Sequence, residues 1–411
     1  MAVSFRPESA DQVAEVIRTA IIEGRHLEVV GRGSKRAWGR PAAAADTLDV
    51  QELTGIVAYE PEELILTARP ATPLAEIEAV LAERNQHLAF EPPDFGPLLR
   101  GNGEIFSSDG TLGGAVLCNL GGPRRVKVGA ARDHVLGFHG VSGRGEVFKA
   151  GGRVVKNVTG FDLAKLVAGS FGTLAVVTEL TVRALPAPEE TRTLVVRGLD
   201  DAAAVQAMTA ALSSAADVSA AAHLPATVAA AATVAALAGA AASATLLRLE
   251  GPEPSVAARA EMLLRQLQPL GETAVLATPE SQVLWLEVGD VCCFATDGDR
   301  QVWRLSVPPA QGADVAGQVL AFHAGDAFYD WGGGLIWLAL EPTPAAAADT
   351  VRAAVTAVGG HATLIRAEPA VRKQVPVFQP QPPALAALTR RVKESFDPHR
   401  VLNPGRMYAD V

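Results

Sequence analysis

The chain has little with which to build disulfides, metal clusters or a surface for polyanions. Its three cysteines, Cys118, Cys292 and Cys293, make neither a disulfide framework nor a CxxC metal pair, so an iron–sulfur cluster associated with this protein would sit on another chain. No basic block stands out and the formal net charge is −9, which argues against a general nucleic-acid binder. The opening Met1-Ala-Val-Ser-Phe-Arg-Pro-Glu8 lacks the apolar core of a signal peptide, so a reducing, cytoplasmic location is expected. No charge occurs between His223 and Arg248, a length that could span a bilayer. That stretch is mostly alanine with Thr, Ser, Pro225 and Gly239, and it reads as a helix running into a buried strand.

What is present is a soluble globular composition, 49% apolar and 20% charged, over 411 residues, too many for one ordinary core. Two or three domains are expected. Glycine is concentrated between Gly101 and Leu185, most densely in Gly110–Arg125 and Gly151–Leu174. Glycine lets a main chain approach a ligand closely, at an entropic cost that a plain linker has no reason to repeat. A second cluster, Gly31-Arg-Gly-Ser-Lys-Arg36, directly follows the short strand His26–Val30. Arg36 stands where GxGxxG needs glycine and no GxxxxGK occurs, so neither a nicotinamide-type Rossmann site nor a Walker loop fits. Two readings remain: a surface turn with scattered charge, or a turn whose N–H groups and three cations suit a pyrophosphate.

Periodicity predicts an amphipathic helix over 7–23, capped by Ser9 or Asp11 and stopped by Gly24, and a second over 73–86. Thr111–Asn119 reads as a glycine turn into a short helix, residues 135–150 as a hairpin around Ser142-Gly143, and 174–185 as a strand. Pro186-Ala-Pro188 is the best domain boundary. Beyond it strands and helices alternate: 193–198, 202–213, 244–249, 254–268, 301–307, 313–322, 335–340, 343–358 and 361–367. This rhythm predicts a second α+β domain with helices on one face of a sheet. A helix over 385–396 and the rigid turn Phe396–Arg406, with two prolines and Gly405, end the chain.

Seven segments in order resemble the vanillyl-alcohol-oxidase-type, or PCMH-type, FAD-binding flavoproteins: Gly31–Lys35, Thr111–Gly114, Gly121–Arg125, Arg132–Gly137, Val155–Leu163, Gly169–Thr173 and Phe396–Arg406. The resemblance covers nearly the whole chain and is weakest between about residues 200 and 280. It implies an α+β protein: a FAD-binding domain of two α/β subdomains over 1–188, divided near residue 95, an α+β cap with an antiparallel sheet over 189–384, and a segment 385–411 returning to the flavin domain. It also implies FAD contacts at Gly31, Arg32, Gly33, Ser34, Lys35, Arg36, Thr111, Gly113, Gly114, Asn119, Gly169, Ser170, Gly172, Thr173 and Asn403.

Two departures from the family pattern matter. Gly31–Arg36 holds no histidine for covalent attachment, and His134 and His139 lie in the later glycine-rich run, so noncovalent FAD is expected. The HxGDGNxH metal loop of relatives acting on D-2-hydroxy acids is represented by His323-Ala-Gly-Asp-Ala-Phe-Tyr-Asp330, and the expectation is no metal, with His323 and Asp330 a vestige. Arg124, Arg125, Arg304 and Arg366 are candidate clamps for a substrate carboxylate, since arginine binds that anion bidentately. No base is identified. The function implied is a FAD-binding subunit of a complex oxidising glycolate or a related D-2-hydroxy acid, partnered by a larger homologous flavin subunit and an iron–sulfur subunit, with no membrane span of its own and membrane association only through partners. The alternatives are a stand-alone FAD oxidoreductase acting on another alcohol or hydroxy acid, and a structural subunit that has lost flavin.

Overall fold

The computed structural model describes residues 3–41, 46–101, 110–152, 161–239 and 241–411. Most of the Val155–Leu163 motif lies outside them. Among the described residues, three-, five- and eight-stranded sheets carry the fold, with a two-stranded ladder of Gln86–His87 and Leu185–Pro186. The first helix, Ala10–Glu23, is set by its ends: Ser9, not Asp11, caps it by accepting from Gln12 N–H (3.3 Å), and Gly24 closes it at φ 64°. Val13 and Ile17 on its inner face are fully buried. They pack over the parallel sheet of Ser4–Phe5, Asp46–Asp49 and Leu27–Val30, each worth about 1.5–3 kcal/mol by area. Ile17→Ala would open a cavity here costing about 2–5 kcal/mol. The C-terminal segment returns to the same sheet, where Leu27 N–H donates to Val401 O (2.8 Å) and Asn403 N–H to Leu27 O (2.9 Å).

The antiparallel five-stranded sheet runs Ile56–Glu60, Ile65–Ala68, Ala175–Arg183, Val135–Ser142, Val147–Gly151. Its last two strands are the expected hairpin, turned at Ser142–Gly145 with Gly145 at φ 72°. The expected division near residue 95 does not follow the sheets. Ile65–Ala68 hydrogen-bonds along Ala175–Arg183, so residues on either side of 95 share one ladder.

The eight-stranded antiparallel sheet runs Thr273–Leu276, Glu190–Arg197, Ala244–Gly251, Ala220–Leu224, Gly325–Asp330, Leu335–Leu340, Gln301–Ser306, His361–Arg366. Helices Asp201–Leu212, Glu253–Leu267, Gly312–Leu320 and Ala348–Ala357 cover one face, packing on Leu194, Leu247, Trp303, Tyr329, Ile336 and Leu364. The opposite face turns Val195, Ala222, Leu246, Val302, Phe328 and Trp337 into one core shared with Leu66, Leu98 and Leu120 of the first half. Helix Thr278–Asp290, absent from the sequence reading, lies on that shared side through Leu284, Trp285 and Val288. The helix expected over 343–358 begins only at Ala348, because Ala346 and Ala347 take φ 50° and 53°. The alanine-rich stretch holds a short helix, Ala226–Ala229, before the buried strand Ala244–Gly251. No helix among the described residues is long and apolar enough to cross a membrane.

Candidate functional site

Strand Leu27–Val30 feeds directly into Gly31–Arg36, which folds as successive tight turns. Arg36 N–H donates to Gly33 O (2.9 Å), Trp38 N–H to Lys35 O (3.0 Å), and Gly33 sits at φ 79°. With Thr111, Gly113, Gly114, Gly172 and Asn403, this turn lines a cleft of about 810 Å³, counted out to its open mouth. Lys35 is the informative residue there. It is 8% exposed, its hydrogen bond goes to Ser34 Oγ (3.3 Å), and no carboxylate pairs with it among the described residues. A buried cation with no carboxylate in contact is unfavourable, so the cleft suits an anion. The wall also leaves no room for side chains: a Cβ on Gly113 would stand 2.8 Å from Pro70 O, and one on Gly172 would stand 2.8 Å from Asn403 Nδ2.

The other expected contacts divide by depth. Arg36 lines the cleft, but it is 57% exposed and its guanidinium is held by Glu28 (3.1 Å from Nε). Thr111 Oγ1 caps helix Leu112–Leu117 by accepting from Gly114 N–H (3.2 Å). Asn403 clasps two walls together, accepting from Val29 N–H and donating to Phe171 O, both at 2.8 Å. Ser170 and Thr173 are buried and outside the lining, with Thr173 Oγ1 donating to Ser170 O (2.7 Å). Cys118, Phe171 and Arg406 also line the cleft and were not anticipated, although each lies within or beside a segment that carried the family resemblance. Asn119, Phe171 and Asn403 hold left-handed backbone at φ 49°, 53° and 44°, a clustering of strain typical of ligand sites.

Cys118 and Phe171 also line a second cavity, of about 1050 Å³, together with Asn119 and Gly169. It lies between the glycine loops and the inner face of the eight-stranded sheet. Strand register lays its polar residues out in rows: Asp330, Leu335, Ser306 and His361 are paired across four strands, and Phe328, Trp337, Arg304 and Thr363 form the next row. Trp38, Phe95, Trp337, Phe171 and Phe378 meet edge to face with centroids 5.0–5.8 Å apart, giving the cavity an aromatic wall.

Arg125 and Arg304 converge on Trp331, their guanidinium carbons 4.7 and 5.0 Å from its ring centroid. Neither guanidinium has a hydrogen-bond or ion-pair partner among the described residues. Burial, reinforced by Arg125, lowers Arg304 to about 10. Burial pushes the Asp330 carboxyl up to about 7, although it accepts from Trp331 N–H (2.7 Å). Burial pushes the Cys118 thiol up to about 11.

Two of the four expected arginine clamps are engaged elsewhere. Arg124 bonds to His87 Nε2 (2.9 Å), is paired with Glu250 and lies 3.6 Å from Glu91. Glu91 also takes both forks of Arg248 (2.7 and 2.9 Å), so these side chains latch the first half to the sheet. Arg366 spends its guanidinium on the carbonyl oxygens of Arg300, Leu98, Phe294 and Asp297. The His323–Asp330 loop is in fact a strand, Gly325–Asp330, which spans about 17 Å at 3.3–3.4 Å per residue. It separates His323, bonded to Thr350 Oγ1 (3.0 Å), from Asp330, and no metal-binding cluster occurs among the described residues. His134 is fully buried against Phe90, and His139 is exposed beside Glu179; neither lines the cleft or the second cavity.

Residues 1–151 match the model of a family described as an FAD binding domain. The glycolate oxidase subunit GlcE of Escherichia coli is 33% identical to this chain over 97% of each. The chain belongs to the GlcE family of FAD-binding flavoproteins. The glycolate oxidase subunit GlcD of Bacillus subtilis is 30% identical over 46% of this chain and 38% of its own length. Among solved structures, p-cresol methylhydroxylase with substrate bound superposes with a TM-score of 0.74 at 15% identity, covering 99% of this chain and 88% of its own. That likeness bears on the fold, which is the PCMH-type flavoprotein fold. FAD is the cofactor of the GlcE family, and the cavities fit its two ends: a glycine-narrowed cleft with an unpaired buried Lys35 for an anion, and an aromatic-walled space for a flat ring.

Proposed function

We propose that this chain is the FAD-binding subunit of a complex that oxidises glycolate, or a related D-2-hydroxy acid, to the 2-oxo acid. The observation that carries the reading is the Arg125–Arg304 pair over Trp331, two guanidinium groups that make no ion pair among the described residues, in a cavity adjoining the FAD cleft. Bidentate guanidinium groups orient a carboxylate, and the aromatic wall keeps water from the reacting carbon. Gly31–Arg36, Thr111, Gly113, Gly114, Gly172 and Asn403 hold the diphosphate side of FAD, with Lys35 as its counter-charge. Asn119 and Gly169 face the ring, and Ser170 and Thr173 brace the wall behind. Bound FAD supplies the two-electron acceptor for the substrate's α-hydrogen. The cofactor is held noncovalently, since neither His134 nor His139 reaches either cavity.

GlcE and GlcD are both named as glycolate oxidase subunits, which supports assembly with other chains. A larger homologous flavin subunit and an iron–sulfur subunit are the partners proposed, in the cytoplasm, with any membrane contact made through them. The working boundaries are 1–188 for the FAD domain, 189–384 for the cap and 385–411 for the returning segment. One observation favours a second reading, a stand-alone FAD oxidoreductase acting on another alcohol or hydroxy acid: Arg125, Arg304 and Asp330 line one cavity beside the proposed FAD cleft. An anaerobic visible spectrum of the purified chain tests both readings. A flavin band bleached by glycolate supports independent turnover, and an unchanged band supports a partner-dependent role. A colourless protein that FAD cannot reconstitute would sink the flavoprotein reading.

A further inference from the structure

We infer that Asp330 takes the hydroxyl proton of the substrate, so that this chain carries a complete oxidation site of its own. The inference rests on the cavity being a 2-hydroxy-acid site. In such a substrate the carboxylate and the hydroxyl-bearing carbon are adjacent, so the cation that holds one and the base that serves the other must stand within a few ångströms. Trp331 brings them together. Its ring carries Arg125 and Arg304, and its backbone N–H fixes the carboxyl of the preceding residue, Asp330, at 2.7 Å. Among the described residues Asp330 is the single carboxylate in the cavity lining, and it is 2% exposed.

The competing bases are less suited. His361 lies in the same row of the sheet but on its edge strand, beside Ser306, and is exposed to the solvent that the reaction must exclude. Partial desolvation of its ring, together with Arg304 and Arg125, keeps it below its ordinary value. The Cys118 thiol stays protonated at neutral pH. Asp330, by contrast, is divided between acid and base forms near pH 7, where a general base works best. The charged groups around it are Arg304 on the cavity side and the Arg248–Glu91 pair behind. His223, on the neighbouring strand, faces the far side of the sheet beside Tyr329 and Asp201.

The step balances. The substrate O–H proton passes to an Asp330 carboxylate oxygen; bound oxidised FAD would accept the electron pair and hydrogen of the C2–H bond, leaving C2–O as a carbonyl. Protonated Asp330 then returns its proton to water when the product leaves.

Oxalate, a two-carbon acid that cannot be oxidised this way, probes the site without turnover. An anion seated on Arg125 and Arg304 beside Asp330 favours the protonated carboxyl. Calorimetry of the FAD-loaded chain near pH 7.5, in buffers of different ionisation heat, should therefore show uptake of about half a proton per oxalate bound. Oxalate affinity should fall as the pH rises through about 7. Asp330→Asn, which still accepts from Trp331 N–H, should abolish the uptake and keep oxalate binding at pH 8. It should slow flavin bleaching by glycolate about 10²–10⁴-fold. His361→Asn should keep the uptake. Unchanged uptake and bleaching in Asp330→Asn would overturn the inference while leaving the cavity reading intact. Wild-type protein that binds no oxalate, or binds it equally well as Arg304→Met, would overturn both. Should Asp330→Asn fail to fold, the wild-type and His361→Asn profiles decide: a step near pH 7 that disappears with His361 refutes the role of Asp330.

Discussion

Replacing Lys393 with methionine keeps an unbranched side chain one atom shorter and removes its charge. In the native fold that ammonium is 1% exposed and donates to Thr173 O (2.7 Å), Leu402 O (2.8 Å) and Asp397 Oδ2 (2.7 Å). Asp397 is fully buried and also accepts from Val401 N–H (3.0 Å) and Leu402 N–H (2.8 Å). Without the lysine, a carboxylate is left in the interior with two amide donors and no cation, and two carbonyl oxygens lose their donor. Breaking a buried pair from one side costs about 3–5 kcal/mol. Spread over 411 residues at about 2.1 cal/mol/K each, this lowers Tm by roughly 4–6 °C if the chain melts as one unit. The damage falls between Thr173 and Leu402, next to the Asn403 clasp, so FAD retention should drop with stability. Differential scanning calorimetry and the flavin absorbance of the gel-filtered variant measure both. Adding Asp397→Leu should restore part of the loss, because replacing both partners by apolar groups removes the stranded charge. A Lys393→Met loss below about 1 kcal/mol, or a double variant no better than the two single losses combined, would refute the reasoning.

Four further outcomes are expected. Arg304→Met should weaken oxalate binding by about 1.5–3 kcal/mol, roughly 10–150-fold in Kd, with the flavin spectrum unchanged. Gly172→Ala forces a Cβ onto left-handed backbone and against Asn403 Nδ2; the strain of about 1–2 kcal/mol should appear as loss of FAD on dilution, measured by fluorescence of the released flavin. Acid precipitation should leave all the flavin in the supernatant, and yellow colour in the pellet would contradict noncovalent attachment. His87, held by burial and Arg124 at about 4 against an ordinary 6.5, is neutral in the fold and protonated in the unfolded chain between those values. Stability should therefore fall as the pH drops through that window, by up to about 3 kcal/mol, and urea titrations of His87→Gln should lack that part of the slope.

Much of the lining of the cleft proposed for FAD could be read from residue order, because its signals are local. A strand ending in Gly31–Arg36, a glycine turn at Thr111 and a rigid Asn403-Pro-Gly turn each declare themselves within a few residues. The substrate side was less legible because its chemistry is assembled across the sheet. Arg124 and Arg125 are neighbours with the same side chain, yet one is committed to Glu250 and Glu91 and the other faces the cavity. Only the position of Glu250, more than a hundred residues away, separates them. The alternation Val302-Trp303-Arg304-Leu305-Ser306 could have assigned Arg304 and Ser306 to one face. The sheet order that sets this face against the glycine loops has no local signature. Gly325–Asp330 was masked by its likeness to a metal loop, which hid a central strand and with it the setting of Asp330.

Trp331 belongs to the sheet half, yet its indole N–H donates to Gly122 O (3.1 Å) and its ring carries Arg125, both on the loop side. With the boundary proposed near Pro188, the proposed substrate pocket would be joint property of two modules. Exchanging residues 189–384 for those of a relative would import a new inner sheet face but leave Gly122–Arg125 shaped for the old one. A chimera that is to change what is oxidised must transplant this four-residue sill along with the sheet. One that exchanges the sheet alone should keep its colour and lose its substrate.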